Sequence, residues 1–295
     1  MADDQSPEPP WTILKILRWT TNYFDDRGID SARLDAELLL AEVLNLERIE
    51  LYTQFNRPLV EDELAAFRAL IKRRANREPT AYIIGHRHFW EFELKVDSRV
   101  LIPRPDTETL IRATLERLDE DSAERLVDIG TGSGAIALTL ASERSQLQIA
   151  ATDDSGDALD VATANAQALS LEERISFFKG DLLDALPDEW LPLDFIISNP
   201  PYIAESERED LQPEVRDFEP ADALFAGADG LDVIRRLVAD ARGALRPGGQ
   251  LLFEIGYQQG EAVADLLATY DYDEIELLKD YGDRDRVAAA RKPDD

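Results

Sequence analysis

Six residues in the C-terminal half of the 295-residue chain, Ile197-Ser198-Asn199-Pro200-Pro201-Tyr202, combine a side-chain amide with a stiff backbone. Each proline fixes its own φ and restricts the residue before it. The Asn199 side-chain oxygen and the Pro200 carbonyl are therefore held as two acceptors at a set spacing, with Pro201 and Tyr202 beside them. Two fixed acceptors suit one partner in particular, a planar NH₂ group with two hydrogens to donate. The competing explanation is a proline-stiffened turn with an incidental tyrosine.

A second cluster is Asp128-Ile-Gly-Thr-Gly-Ser-Gly134, which ends an apolar run and opens a helical pattern. Glycines at positions 130, 132 and 134 allow a tight turn and close backbone approach to a ligand at a helix N-terminus. Asp153 ends the next apolar run, where a carboxylate can accept both hydroxyls of a ribose. The spacing is Gly-x-Gly-x-Gly rather than Gly-x-Gly-x-x-Gly, with an acidic residue ahead of it. That favours S-adenosylmethionine over a dinucleotide, because its amine and sugar suit carboxylates and it has no pyrophosphate to cradle. Gly180-Asp181-Leu182 closes a third run: Asp181 can accept from an adenine amino group while Leu182 packs on the ring. A plain strand-end turn is the alternative there, as a simple strand–helix turn is for the glycine cluster.

The elements that must carry these groups follow from periodicity. Helical patterns cover Trp11–Arg27, Ser31–Asn45 with Ser31 as N-cap, Glu47–Gln54 and Glu61–Ala75. From His88 the period shortens: Phe89 to Val96 and Arg99 to Ile102 are expected as two strands of a hairpin. A helix over Thr107–Arg117, capped by Asp106 or Thr107, comes next. Strands are then expected at 125–129, 147–152, 175–179, 195–198, 250–255, 274–279 and 286–290, with helices at 134–144, 157–169, 231–245 and 260–270. Such alternation specifies a doubly wound α/β sheet. The turn between the last two strands is too short for a helical crossover, so they should pair antiparallel. The domains read as a helical bundle at 1–84 that recognises a partner, a hairpin linker at 85–105, and a catalytic domain at 106–295.

Composition limits the options. There is no cysteine, which removes disulfide scaffolds, thiolate metal sites and thiol nucleophiles. His86 and His88 are the only histidines and read as structural, so no metal site is expected. No apolar run is long enough to span a membrane, and the acidic N-terminus does not resemble a signal peptide; a cytoplasmic location is expected. With 61 acidic against 32 basic residues the formal net charge is −29, and only six residues are lysine. A polyanion of this kind repels nucleic acid and anionic membranes unless salt screens it. At molar salt the Debye length is about 3 Å, so this Asp-rich, Lys-poor surface suits a halophilic, salt-accumulating cytoplasm; an ordinary acidic protein is the alternative. Arg73, Arg74 and Arg77 read as a solvated helix end. Gly248-Gly249-Gln250 reads as a turn entering a strand.

Asn-Pro-Pro-Tyr is the signature of methyltransferases acting on planar NH₂ groups: adenine N6, guanine N2 or glutamine N5. Within that set, Gly85-His-Arg-His-Phe-Trp90 and Leu101-Ile-Pro-Arg-Pro-Asp-Thr-Glu108 resemble the protein-glutamine N5-methyltransferases of peptide chain release factors (the HemK/PrmC family). The likeness continues through Asp217-Phe-Glu-Pro220, Gln258-Gln-Gly260 and Asp280-Tyr-Gly-Asp283. It implies a class I S-adenosylmethionine-dependent methyltransferase fold: a Rossmann-like seven-stranded sheet with its last strand antiparallel, beside a small N-terminal helical bundle. It implies that Asp128, Gly130, Thr131, Gly132, Ser133 and Gly134 hold the methionine part of the cofactor, Asp153 the ribose, and Asp181 and Leu182 the adenine. Leu182 stands where relatives can carry an aromatic ring. Asn199 and Pro200 would be catalytic and hold the substrate carboxamide, with Pro201 and Tyr202 packing beside it and Asn199 also touching the cofactor. Arg104 and Glu108 would shape the mouth of the cofactor site. The implied partners are class 1 release factors and the implied product S-adenosylhomocysteine, with a monomeric enzyme and no stable nucleic-acid or membrane binding. The alternatives are a glutamine methyltransferase of a ribosomal protein, a nucleic-acid amino-methyltransferase, and a binding module that has lost catalysis.

Overall fold

The computed structural model describes residues 10–121 and 123–294. The chain divides into two compact units, one ending at Gly85 and one beginning at His86.

The smaller unit is helical: α1 (Ile13–Asp25), α2 (Ala32–Leu44), α3 (Arg48–Thr53), α4 (Glu61–Ala75) and α5 (Thr80–Ile84). In α1 the i, i+3, i+4 pattern places Ile13, Ile16, Leu17, Thr20 and Phe24 on one buried face. These pack with Leu39, Leu40, Leu51 and Phe67. Arg74 Nε on α4 donates to Asp35 Oδ2 on α2 at 2.7 Å, with both side chains almost fully buried. Arg74 is thus part of the bundle interior rather than a solvated helix end. Ser31 does not cap α2 with its side chain, because its hydroxyl donates instead to the same Asp35 carboxylate at 2.8 Å. The short α5, bounded by Pro79 and the left-handed Gly85, was not expected, since five residues carry no readable period.

The larger unit opens with the hairpin β1 (His86–Phe89) and β2 (Phe92–Lys95), paired His86↔Lys95 and Phe89↔Phe92. His86 Nδ1 sits 3.1 Å from Glu93 Oε2 across the two strands. The pairing departs from the expected one, and Arg99–Ile102 forms no strand. The Asp97 side chain accepts from Arg99 N at 3.1 Å and its carbonyl from Val100 N at 3.1 Å, closing a turn, and Pro103 follows. The hairpin falls within the larger unit rather than forming a linker: Phe89 and Leu94 are buried in its core.

After α6 (Thr107–Leu115) come β3 (Arg125–Ile129), α7 (Ala135–Glu143), β4 (Gln148–Asp153), α8 (Gly156–Ala168), β5 (Ile175–Lys179) and β6 (Leu193–Ser198). They are followed by α9 (Pro213–Phe218), α10 (Asp232–Ala244), β7 (Leu245–Glu254), α11 (Gly260–Thr269), β8 (Asp273–Lys279) and β9 (Asp285–Arg291). The seven-stranded sheet runs β5-β4-β3-β6-β7-β9-β8, and β9 is antiparallel to both its neighbours. The sheet is apolar on both faces. One faces α6, α7 and the hairpin through residues such as Leu110, Leu138, Ile149 and Phe195; the other faces α10 and α11 through Ile196, Leu237, Phe253 and Val263. Chain order reverses between β3 and β6, and ligands of open α/β sheets bind outside the carboxyl ends of strands at such a switch point. Ile129 is level with both Thr152 and Ser198, so Gly130, Asp153 and Asn199 leave the sheet side by side.

Candidate active site

The turn after β3 is shaped by three glycines with φ of +70°, +55° and +85° at Gly130, Gly132 and Gly134. A methyl group placed on Gly130 or Gly132 would meet no atom within 4 Å, whereas one on Gly134 would stand 2.9 Å from Leu138 Cδ1. The first two thus form an open cradle and the third a packing contact. Asp153 secures the cradle: Oδ2 accepts from Gly132 N at 2.9 Å and Oδ1 from Ser155 N at 2.9 Å. Burial pushes the Asp153 carboxyl up, and these two backbone donors pull it back. Asp128 lies behind the turn. Its Oδ2 accepts from Thr131 Oγ1 at 2.7 Å and from Ala137 N at 3.2 Å, while the buried Oδ1 has no partner among the described residues. Burial pushes this carboxyl up to about 7.

Two cavities meet here. One, of about 270 Å³, is lined by Gly130, Gly132, Asp153, Asp154, Asp181 and Leu182, among others. The second, of about 210 Å³, is lined by Arg104, Pro200, Tyr202, Ile203, Val215 and Glu254. Asn199, Leu101 and Ala223 belong to both walls. Of the residues expected to touch a cofactor, Asp128, Thr131, Ser133 and Gly134 do not reach the first cavity; they are buried and build the turn instead. Pro201 lines the first cavity rather than the second. Asp181, in the wall of the first cavity, accepts from Arg236 Nη2 on Oδ2 at 2.5 Å. Arg104 lines the second cavity, not the first, paired with the buried Glu219 at 2.5 Å. Glu108 pairs with Arg112 one turn on at 3.0 Å and reaches neither cavity.

The Asn199 amide is held by a chain of hydrogen bonds that spacing did not reveal. Its Nδ2 donates to Thr107 Oγ1 at 3.2 Å, and Thr107 Oγ1 donates to Glu254 Oε2 at 2.7 Å. Tyr202 OH donates to Glu254 Oε1 at 2.9 Å. Glu254 is only 1% exposed, and burial raises its carboxyl despite the two hydroxyl donors. Burial and the neighbouring Glu254 also push the Tyr202 phenol up. The one readable signal for Glu254 was a carboxylate inside the apolar strand Leu251-Leu-Phe-Glu-Ile. The backbone beyond Tyr202 is fixed by Gln259, whose Nε2 donates to Tyr202 O at 2.9 Å while its Oε1 accepts from Gly256 N at 2.9 Å. Gly230, at φ +74°, passes so close that a Cβ would lie 2.3 Å from Tyr202 O.

The residues present fit S-adenosylmethionine. The cradle over Gly130 and Gly132 is open, and the adjoining wall carries Asp153, Asp154 and Asp181, with its two arginines, Arg99 and Arg236, each paired to an aspartate; this set offers carboxylate acceptors for ribose and amine donors. Sheet, glycine turn, strand-end carboxylate and the Asn-Pro-Pro-Tyr corner at the switch point together define an α/β methyltransferase. The comparisons with known proteins narrow the class. The family model described as the PrmC N-terminal domain matches residues 15–85, and that described as the methyltransferase small domain matches residues 106–215. A release factor glutamine methyltransferase of Rhodopirellula baltica is 41% identical over 98% of this chain and 99% of its own. One of Xylella fastidiosa is 46% identical over 88% of this chain and 94% of its own. The chain belongs to the release factor glutamine methyltransferase family. Among solved structures, the Thermus thermophilus 16S rRNA N2 G1207 methyltransferase in complex with AdoMet and guanosine shares the fold, with a TM-score of 0.50 and 21% identity over 70% of this chain and 49% of its own. No helix among the described residues is long and apolar enough to cross a membrane.

Proposed function

We propose that this chain transfers the methyl group of S-adenosylmethionine to the side-chain amide nitrogen, N5, of the glutamine in the Gly-Gly-Gln motif of class 1 peptide chain release factors. The observation that carries this is Asn199. It stands in the wall common to both cavities, and with its Nδ2 engaged by Thr107 it keeps Oδ1 free as an acceptor. Cofactor in the larger cavity and carboxamide in the smaller would meet at this residue.

When bound, S-adenosylmethionine supplies a methyl group activated by a sulfonium, and it leaves as S-adenosylhomocysteine. The Gly130–Gly132 backbone would receive its methionine portion, Asp153 its ribose hydroxyls, and Asp181 with Leu182 its adenine. An amide nitrogen is a poor nucleophile because its lone pair is delocalised into the carbonyl. Asn199 Oδ1 and the Pro200 carbonyl would accept hydrogen bonds from its two N–H groups, raise electron density on nitrogen and aim it at the methyl donor. As the N–CH₃ bond formed and the S–CH₃ bond broke, positive charge would pass from sulfur to nitrogen, and these two fixed acceptors would stabilise it before one proton passed to solvent. Tyr202, held by Glu254, walls the carboxamide side. Asp128, Thr131, Ser133 and Gly134 act indirectly, by holding the turn in shape.

The helical unit would recognise the release factor, which the match to the PrmC N-terminal domain supports. A monomeric, cytoplasmic enzyme without stable nucleic-acid contacts accords with a charge of −29, and the Asp-rich, Lys-poor composition with a salt-rich cytoplasm. The purified chain is to be offered labelled S-adenosylmethionine with a release factor, ribosomal proteins and DNA, and the modified residue identified by mass spectrometry. Label on the Gly-Gly-Gln glutamine is expected. Label on a ribosomal-protein glutamine or a DNA base alone would overturn the proposal. Asn199→Ala should lower kcat far more than cofactor affinity.

A further inference from the structure

We propose that Glu254, by accepting from the Thr107 and Tyr202 hydroxyls, sets the direction of the hydrogen-bond chain from Glu254 through Thr107 to Asn199, and so holds Asn199 with its oxygen rather than its NH₂ toward the substrate carboxamide. The inference rests on the assignment of Asn199 as an acceptor for that carboxamide; it makes Glu254 and Thr107 positioning residues.

An ionised carboxylate accepts and cannot donate. Glu254 takes the Thr107 hydroxyl proton on Oε2 at 2.7 Å and the Tyr202 hydroxyl proton on Oε1 at 2.9 Å. Having given its single proton to Glu254, Thr107 can only accept from Asn199, and it does so from Nδ2 at 3.2 Å. The amide is thereby fixed with Oδ1 on the opposite side. A neutral group at position 254 keeps one acceptor and gains one donor; with its oxygen retained on the Tyr202 hydroxyl, its donor faces Thr107 and the sequence reverses: it donates to Thr107, the Thr107 hydroxyl turns to Asn199, and the amide rotates to bring Oδ1 to meet it. The NH₂ of Asn199 then faces the NH₂ of the substrate, donor against donor. The carboxylate is well placed for this task because it is almost fully buried and 147 residues from Thr107 in sequence, so the chain exists only in the folded unit.

The groups facing Glu254 decide when it is charged. Asp106 and Thr107 approach from α6, Tyr202 from the turn after β6, and Arg286 from β9. Arg286 is itself held by Asp280 at 3.1 Å and Asp106 at 3.3 Å. Arg286 and the two hydroxyls favour the charged form, whereas burial and Asp106 oppose it, with burial the largest. Protonation therefore occurs above the ordinary carboxylate range, and turnover should fall as pH drops through that point.

The test uses the full chain with a release factor and labelled S-adenosylmethionine, reading kcat and KM against pH, S-adenosylhomocysteine affinity by calorimetry, and Tm. Glu254→Gln should lower kcat roughly 100-fold, as loss of one preorganised polar contact does. It should leave cofactor affinity near wild type and abolish the acid limb of the kcat profile. Thr107→Val should lower kcat similarly, while Thr107→Ser, which keeps the hydroxyl, restores it; this pair decides the matter if Glu254→Gln fails to fold. Wild-type kcat with an unchanged acid limb in Glu254→Gln, or equal loss in Thr107→Ser and Thr107→Val, overturns the proposal. Asn199→Ala separates the two levels. If it retains full turnover, the assignment of Asn199 falls and the inference with it; if it is inactive while Glu254→Gln behaves as wild type, the inference alone falls.

Discussion

Replacing Gly132 by alanine should separate ligand binding from folding, and Gly134→Ala is its internal control. At Gly132 the added methyl meets no protein atom within 4 Å, so its cost to the fold comes from φ of +55° alone. That is about 1–2 kcal/mol for a side chain held in the left-handed region. The same methyl projects into the open cradle where the cofactor would lie, and holding the ligand off there should weaken it by roughly 10- to 100-fold, or about 1.4–2.8 kcal/mol. At Gly134 the backbone is also left-handed, at φ +85°, but the methyl would stand 2.9 Å from Leu138 Cδ1, on the side of the turn away from the cavity. Strain of about 1–2 kcal/mol adds to overpacking of about 1–3 kcal/mol, so stability should suffer more and affinity less. Calorimetric titration with S-adenosylhomocysteine gives affinity, and urea midpoints give stability. Undiminished binding by folded Gly132→Ala would refute the placement of the cofactor. An equal loss of affinity in both variants would show that any disturbance of the turn acts alike, and would remove the argument from open space.

Further outcomes follow from other parts of the molecule. Arg74→Met leaves Asp35 buried without its ion partner and should cost about 3–5 kcal/mol, measured by urea unfolding, whereas the double variant with Asp35→Leu should recover much of it. Asp128 titrates near 7 in the folded chain against 3.8 in an unfolded one, so the native state holds its proton more tightly. Stability should therefore fall as pH rises from about 4 to about 7, by up to roughly 4 kcal/mol at 1.36 kcal/mol per unit. Asp128→Asn should flatten that slope in urea titrations across the same range. With a charge of −29, Tm should rise from dilute buffer to molar KCl as mutual repulsion is screened; highest stability in dilute buffer would contradict the salt-adapted reading.

The sequence disclosed those parts of the site whose geometry is local. Asn199 to Tyr202 and Gly130 to Gly134 are each set by backbone constraints within a few residues, and prolines and glycines advertise such constraints. The strand–helix alternation disclosed the sheet for the same reason, and the short link before β9 disclosed its antiparallel direction. What stayed hidden is held by distant partners. Thr107 and Glu254 meet only when α6 is laid on the end of β7. Ser31 looked like a cap because its competitor Asp35 lies one turn away, and Asp35 itself answers to Arg74 on another helix. Arg99 to Ile102 had strand-like residues, but Asp97 turned the chain before a ladder could form. Asp128, Thr131 and Ser133 were expected to touch the cofactor, but Asp128 ends up within β3 and all three are buried behind the cavity wall, because only the fold tells the inner side of the turn from its outer.

The wall shared by the two cavities has a consequence for how many times the enzyme acts on one nitrogen. A glutamine that has received its methyl carries a single N–H where two acceptors, Asn199 Oδ1 and the Pro200 carbonyl, await donors. Re-entry would leave one of them buried and unpaired, a penalty of about 1–3 kcal/mol, and would press a methyl group against it. With Asn199 and Pro200 in the proposed role, the corner that recruits the primary amide would evict the secondary one, and the site would count to one and stop.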